Sequence, residues 1–287
     1  MKWQEISITT TPEASEAVAG LFYETGAQGL VLEDKGGQVV LRGYLPQDKR
    51  LKARLQDFKG RLKAIGRFFP GCRAEMSSRS IEEEDWSDAW KAYFKPVKIG
   101  RRLVVKPSWE EYNPRPGELV MELDPGMAFG TGTHPTTAMA LEMLEEFIKP
   151  GHVVYDVGTG SGILAIAAAL LGARRVVAVD NDPVAVRTAR ENVQRNGLEG
   201  KIKVQEGDLL HGLPPGAHVV TANIVADVLL ALLPQAARLL PPAGRLILGG
   251  IIAPRAPELV SALRSHGFAV TKRERRGDWI ALAATQG

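Results

Sequence analysis

Three alternate glycines, Gly158, Gly160 and Gly162, follow directly on an apolar run that ends in an acid, Val153-Val154-Tyr155-Asp156. From Ile163 the pattern turns Ala/Leu-rich and helical. A strand, a tight turn and a helix start in that order form a backbone that a ligand can approach closely, because glycine accepts left-handed conformations and carries no Cβ. A second apolar run, Val176-Val177-Ala178-Val179, ends in Asp180. A carboxylate at the tip of the neighbouring parallel strand suits a pair of ribose hydroxyls. These residues predict a site for an adenosine-like ligand, built on Gly158, Gly160 and Asp180.

The glycine spacing narrows the ligand. A dinucleotide fingerprint needs G-x-G-x-x-G, and its third glycine position is Ile163 here. No G-K-[ST] follows, which excludes a P-loop. Asp156 adds negative charge where a pyrophosphate would sit and suits a ligand bearing an ammonium or sulfonium. A D-x-G-x-G-x-G turn with an acid-tipped second strand resembles the S-adenosylmethionine site of Rossmann-like methyltransferases.

Ligands of open α/β sheets lie beyond the carboxyl ends of the strands, which draws attention to two further ends. In Glu206-Gly207-Asp208, Asp208 is placed to edge an adenine, with a solvated turn acid as the alternative. In Thr221-Ala222-Asn223-Ile224, Asn223 offers an acceptor and two donors to a ligand, with helix capping near Val225 as the alternative. Ahead of the sheet, the segment from Asp124 to Thr137 surrounds Phe129 with Gly126, Gly130 and Gly132. It has the make-up of a loop that folds over a ligand, with Phe129 as the cover. Thr136 and Thr137, at the following helix start, are candidates for the amino-acid end of the ligand, and capping accounts for at least one of them. His134 reads as a loop-fixing hydrogen bonder rather than a base.

The elements that must position these groups follow from the rest of the chain. Its 287 residues allow two domains, and a net charge of +3 singles out no partner class. The single cysteine, Cys72, permits no internal disulfide, and no Cys/His cluster has metal-ligand spacing. Met1-Lys2-Trp3 runs straight into a strand pattern without a signal peptide, and no apolar stretch is long enough to span a bilayer, so a cytoplasmic protein with no membrane partner is expected. Residues 1–80 alternate as β-α-β-β-α-β, the split arrangement of small α+β ferredoxin-like domains. Ser80-Ile81-Glu82-Glu83 reads as a capping box opening a linker helix over 81–96, with Trp86, Trp90 and Tyr93 along it. Residues 97–287 begin with a strand pair around Gly100-Arg101 and continue as an α/β alternation. That alternation predicts a doubly wound, Rossmann-like sheet. The chain closes in a hairpin around Arg276-Gly277-Asp278, the seven-stranded class I methyltransferase pattern.

The resemblance becomes specific in Pro125-Gly126-Met127-Ala128-Phe129-Gly130-Thr131-Gly132-Thr133-His134-Pro135-Thr136-Thr137, in the turn Asp156 to Gly162, and in Ala222-Asn223-Ile224. Together, and in that order, they are similar to the bacterial methyltransferases of large-subunit ribosomal protein L-eleven (L11). The family's glycine turn often carries cysteine where this chain has Thr159, and its Asn-Ile-Leu-Ala reads Asn223-Ile224-Val225-Ala226 here. The resemblance implies S-adenosylmethionine as cofactor, held by Thr137, Gly158, Asp180 and Asn223. It also implies trimethylation of lysine side chains and of the amino-terminal amine of L11, free or on the large subunit, by a monomer with no DNA partner. The first domain would then grip the substrate, and Asn223 would orient the amine.

Other readings share the cofactor half: a methyltransferase of another protein, an RNA or a small molecule. A nicotinamide dehydrogenase is opposed by Ile163. The non-enzymatic reading is a cofactor-sensing ribosome-binding module.

Overall fold

The computed structural model describes residues 2–27, 30–34, 37–68, 75–82, 95–124 and 134–287. The chain divides into two compact units, Met1–Phe94 and Lys95–Gly287.

The first unit runs β1 (Lys2–Thr10), α1 (Pro12–Glu24), β2 (Leu30–Asp34), β3 (Val39–Pro46), α2 (Leu51–Phe68) and β4 (Glu75–Glu82). Its sheet has the order β2-β3-β1-β4 with every pair antiparallel. Ile6, Ile8, Leu41 and Leu45 line one face and meet Phe22 of α1 and Phe58 of α2, all buried. Gly43 makes the approach of α1 possible, since a Cβ there would overlap the Phe22 ring.

The expected helix cap at Ser80 is not present. β4 continues through Glu82, pairing Gln4 with Ser80 and Trp3 with Ile81. Glu5, buried, faces Arg79 in register and accepts from its Nε at 2.8 Å. The Ser80 hydroxyl is within 2.7 Å of Gln47 Nε2. A strand ladder held by a cross-strand ion pair outweighs one local capping bond. The expected linker residues Trp86, Trp90 and Tyr93 lie outside the described residues, as does Cys72.

In the second unit a small sheet comes first: β5 (Val97–Ile99), β6 (Leu103–Lys106) and β7 (Leu119–Glu122). The β5–β6 pair is the one expected around Gly100. β7, parallel to β6, has only four residues after a proline-rich loop and was not anticipated. Then follow α3 (Pro135–Phe147), β8 (Val153–Val157), α4 (Ile163–Leu170), β9 (Arg175–Asp180), α5 (Pro183–Arg195), β10 (Ile202–Glu206), β11 (Val219–Asn223), α6 (Ala226–Leu239), β12 (Arg245–Ile252), α7 (Ala256–Ser265), β13 (Phe268–Arg276) and β14 (Trp279–Gln286). They build the expected seven-stranded sheet in the order β10-β9-β8-β11-β12-β14-β13. β8 to β12 are mutually parallel where they pair, and β14 enters antiparallel.

Alternation along the strands sends one set of side chains to a core with α3 and α4 and the other to a core with α6 and α7. All five parallel strands therefore end on the same edge, where the functional groups gather. No helix among the described residues is long and apolar enough to cross a membrane.

Candidate functional site

The glycine turn sits at the carboxyl end of β8 in left-handed backbone, with φ of 67° at Gly158, 55° at Gly160 and 85° at Gly162. Side chains rarely tolerate such values, so the alternation of glycines is a backbone requirement. Space adds a second constraint. A Cβ at Gly158 would overlap Ile224, and one at Gly162 would lie 3.3 Å from Ala189 Cβ on α5. β9 clamps the turn: Gly158 N donates to Val179 O at 2.8 Å, and Gly160 N to Asp180 Oδ2 at 2.9 Å. Behind it, buried Asn192 of α5 donates to Ser161 O at 2.8 Å.

Asp156 takes a different part from the one read in the sequence. It is fully buried and does not line the cleft. Its Oδ2 accepts from Thr159 Oγ1 at 2.6 Å and from Ala165 N at 3.1 Å, tying the turn to the first turn of α4. Burial, with a smaller push from the nearby Asp180, outweighs the lowering effect of the Thr159 and Ala165 bonds and leaves its pKa raised to about 7. Buried and outside the cleft lining, the carboxyl does not meet a ligand directly. The negative groups at the cleft are Asp180, Asp182 and Asp208.

A cleft of about 530 Å³ opens over this edge, and Thr137, Gly158, Gly160, Asp180, Asp208 and Asn223 all line it. Asp180 uses one lone pair of each oxygen on a backbone donor, Oδ2 on Gly160 N and Oδ1 on Asp182 N at 3.0 Å. Each oxygen keeps acceptor capacity for a hydroxyl. Asp208 stands at the rim with its side chain 74% exposed and His211 Nδ1 3.5 Å away. It is thus a solvated turn acid and a cleft residue at once.

Asn223 is not a helix cap, since Val225 holds that position for α6. Its Nδ2 donates to Thr137 Oγ1 at 3.2 Å, while its Oδ1 is buried without a hydrogen-bond partner. An orphaned buried acceptor costs about 1–3 kcal/mol, and here it belongs to a residue at the cleft wall. Thr136, beside Thr137, is spent on the cap: its Oγ1 lies 2.8 Å from His134 Nδ1, which also accepts from Thr136 N. The His134 ring meets Trp279 edge-on with centroids 5.1 Å apart. Ion pairs from Arg276 to Glu142 and from Lys272 to Glu146 fasten α3 to the final hairpin. Thr137 is fixed through that helix. Phe129, the expected cover, lies outside the described residues.

One part of the site went unread in the sequence. Gly249 and Gly250 interrupt the apolar run of β12 and form an irregularity in its pairing with β14. Gly249 lies beside Asn223 in register, and a Cβ there would stand 2.7 Å from Asn223 Oδ1. At Gly250, φ is 77° and a Cβ would overlap the Ile224 backbone. Paired glycines inside a strand are the signal that could have marked it.

The donor set fits an adenosine group carrying a cationic tail. Asp180 would accept from ribose hydroxyls, close backbone approach is available at Gly158 and Gly160, and acidic groups line the cleft without a phosphate cradle lysine. Among the described residues, no cluster of three or more acidic, histidine or cysteine side chains could hold a metal.

Comparison with known proteins points the same way. The family described as "Ribosomal protein L11 methyltransferase (PrmA)" matches residues 2–287. The chain is 48% identical to the ribosomal protein L11 methyltransferase of Pelotomaculum thermopropionicum, with 99% of both chains covered. It is 45% identical to that of Heliobacterium modesticaldum, over 99% of this chain and 97% of the relative. The crystal structure of a ribosomal protein L11 methylase from Lactobacillus delbrueckii subsp. bulgaricus superposes with a TM-score of 0.63 at 36% identity. That match covers 67% of this chain and 99% of the other.

Proposed function

Because the chain belongs to the ribosomal protein L11 methyltransferase family, we propose that it methylates amines of ribosomal protein L11, trimethylating lysine side chains and the amino-terminal amine. The cofactor is S-adenosylmethionine, held by Asp180, the turn at Gly158 and Gly160, Thr137 and Asn223, with Phe129 as cover and Asp208 toward the adenine. When bound, the sulfonium supplies an electrophilic methyl whose leaving group is a neutral thioether.

The observation that carries the amine reading is the orphaned Oδ1 of Asn223. In the first and second transfers the attacking amine has at least one N–H to donate and one lone pair to aim; the dimethylated amine of the third has only the lone pair, aligned by the pocket walls. Asn223 Oδ1 accepts an amine N–H and so points the lone pair. Its own Nδ2 is anchored on Thr137, so the carbonyl is held in place before the amine arrives. Alignment of this kind is the main task in a displacement with a good leaving group.

A lysine amine must first lose a proton, its unperturbed pKa being about 10.4. Ile224, Val225 and Val228 give that side of the cleft an apolar wall. Such a wall favours the neutral amine, with the proton passing to solvent. No side chain is required as a base.

Residues 1–80 grip the substrate, residues 81–96 link the two parts, and residues 97–287 carry the chemistry. Support for a gripping part comes from the separate core of the first unit and from its exposed Tyr23 and Leu32, which lie on a helix and on an edge strand. The protein works in the cytoplasm as a monomer.

Kinetics of Asn223→Ala test the reading. A fall in kcat with cofactor affinity little changed supports amine orientation. Equal losses in both would make Asn223 a cofactor contact only.

A further inference from the structure

At the edge of the seven-stranded sheet opposite the cleft, the parallel strands start on basic residues. Arg174 and Arg175 open β9, Lys201 and Lys203 open β10, and Lys149 precedes β8. Backbone bonds tie these starts into one line: Arg174 N donates to His152 O, Val176 N to Lys201 O and His218 N to Val153 O, each at 2.8 Å. Arg174, Arg175, Lys201 and Lys203 share one open hollow of about 370 Å³ with Glu199, four cations against one carboxylate.

All four cations are exposed, and none forms an ion pair among the described residues. Elsewhere in this unit Lys98, Lys106, Arg255, Lys272 and Arg276 are each paired with an acid, and the other cations unpaired among the described residues, such as Arg187, Arg238 and Arg264, do not line this hollow. The carboxyl edge, by contrast, gathers Asp180, Asp182 and Asp208. The unit is therefore polarised along its strands, with uncompensated positive charge at the end that the methyl-transfer chemistry does not use.

We propose that this basic edge binds the phosphodiester backbone of RNA. Neighbouring strands lie ~4.8 Å apart, so the three strand starts that carry Lys or Arg, at β10, β9 and β8, span ~10 Å, enough for about two or three phosphates of a chain. Guanidinium and ammonium groups in a row are the footprint of backbone binding without base readout. A protein partner would want an apolar centre, while an anionic lipid surface, which attracts such charges without insertion, is separated from RNA by the vesicle arm of the test. Among the described residues of this unit, the exposed large apolar side chains, Val97, Val225, Val228 and Ile252, are not among those lining the hollow. The choice of RNA over another phosphodiester chain rests on the ribosomal reading above, because a ribosomal protein works against RNA.

The test is fluorescence anisotropy of a labelled mixed-sequence single-stranded RNA with the full chain, titrated at low and high potassium chloride. Wild-type protein should bind, and more weakly as salt rises. The double variant Arg174→Glu/Lys201→Glu should lose about tenfold or more in affinity and about 1.4 in the slope of log affinity against log salt, the single-strand value for two contacts. Lys49→Glu/Lys52→Glu changes net charge equally on the other unit and should bind as wild type. Equal losses in both variants, or no salt-dependent binding by wild type, would overturn the proposal. So would sedimentation with phosphatidylglycerol vesicles through Arg174 and Lys201 when RNA does not bind. The Arg174/Lys201 variant should still methylate free L11. Loss of methylation in the wild type would instead count against the enzymatic reading alone.

Discussion

Gly249 supports Asn223 from the neighbouring strand, with only 2.7 Å between the site of a Cβ at 249 and Asn223 Oδ1. The backbone at 249 is not left-handed, so space alone demands glycine there. Gly249→Ala should fold normally, push the Asn223 carbonyl aside and lower kcat by about tenfold to a hundredfold, the cost of a displacement of up to 1 Å. Cofactor affinity by calorimetry should change little. Unchanged kcat would remove Asn223 Oδ1 from the mechanism.

Asp156 makes stability fall as pH rises. Burial raises its pKa in the folded state from 3.8 to about 7. The folded protein therefore holds a proton that the unfolded chain releases. The associated stability is complete below 3.8 and is lost as pH climbs through about 7. Across that window the loss is on the order of 4 kcal/mol. Asp156→Asn mimics the protonated carboxyl, so its stability relative to wild type should grow between those pH values in urea titrations. A variant less stable than wild type at pH 7 would show that the ionised form is the one the fold requires.

His152 carries the opposite sign. Burial, the stacked His218 ring 5.0 Å away, Lys149 and Arg245 all lower its pKa from 6.5. Stability from the neutral ring is present above 6.5 and is lost as pH falls below it. His152→Gln should flatten this acid-side loss in thermal unfolding followed against pH. A wild-type acid limb that the variant reproduces would assign the loss to other groups.

His134 caps α3, so His134→Ala should cost about 0.5–2 kcal/mol in urea unfolding. His134→Asn, which can cap in the same way, should recover most of it and keep wild-type turnover. A hundredfold lower kcat in a stable His134→Asn protein would make the imidazole a base after all.

The parallel strands, their order and the glycine turn were legible because apolar runs ending in Asp156, Asp180 and Asn223 encode both strand and edge. Site residues on those ends reached the cleft, including Asp208. Two kinds of information were not local. Ser80 matches a capping pattern, but its fate is decided by β1, more than seventy residues earlier in the chain, through the Gln4–Ser80 and Glu5–Arg79 pairings. Asp156 reads as a charged ligand group until its burial and its bonds to Thr159 and Ala165 are known. Gly249 likewise gains its meaning only from the strand lying beside it.

The most direct measurement is intact-mass spectrometry of purified ribosomal protein L11 after incubation with this protein and S-adenosylmethionine. The account predicts methyl-sized gains in sets of three on lysine side chains and on the amino-terminal amine, and none with Asp180→Ala. Unmodified L11, in a reaction where calorimetry shows wild-type cofactor binding, would contradict it.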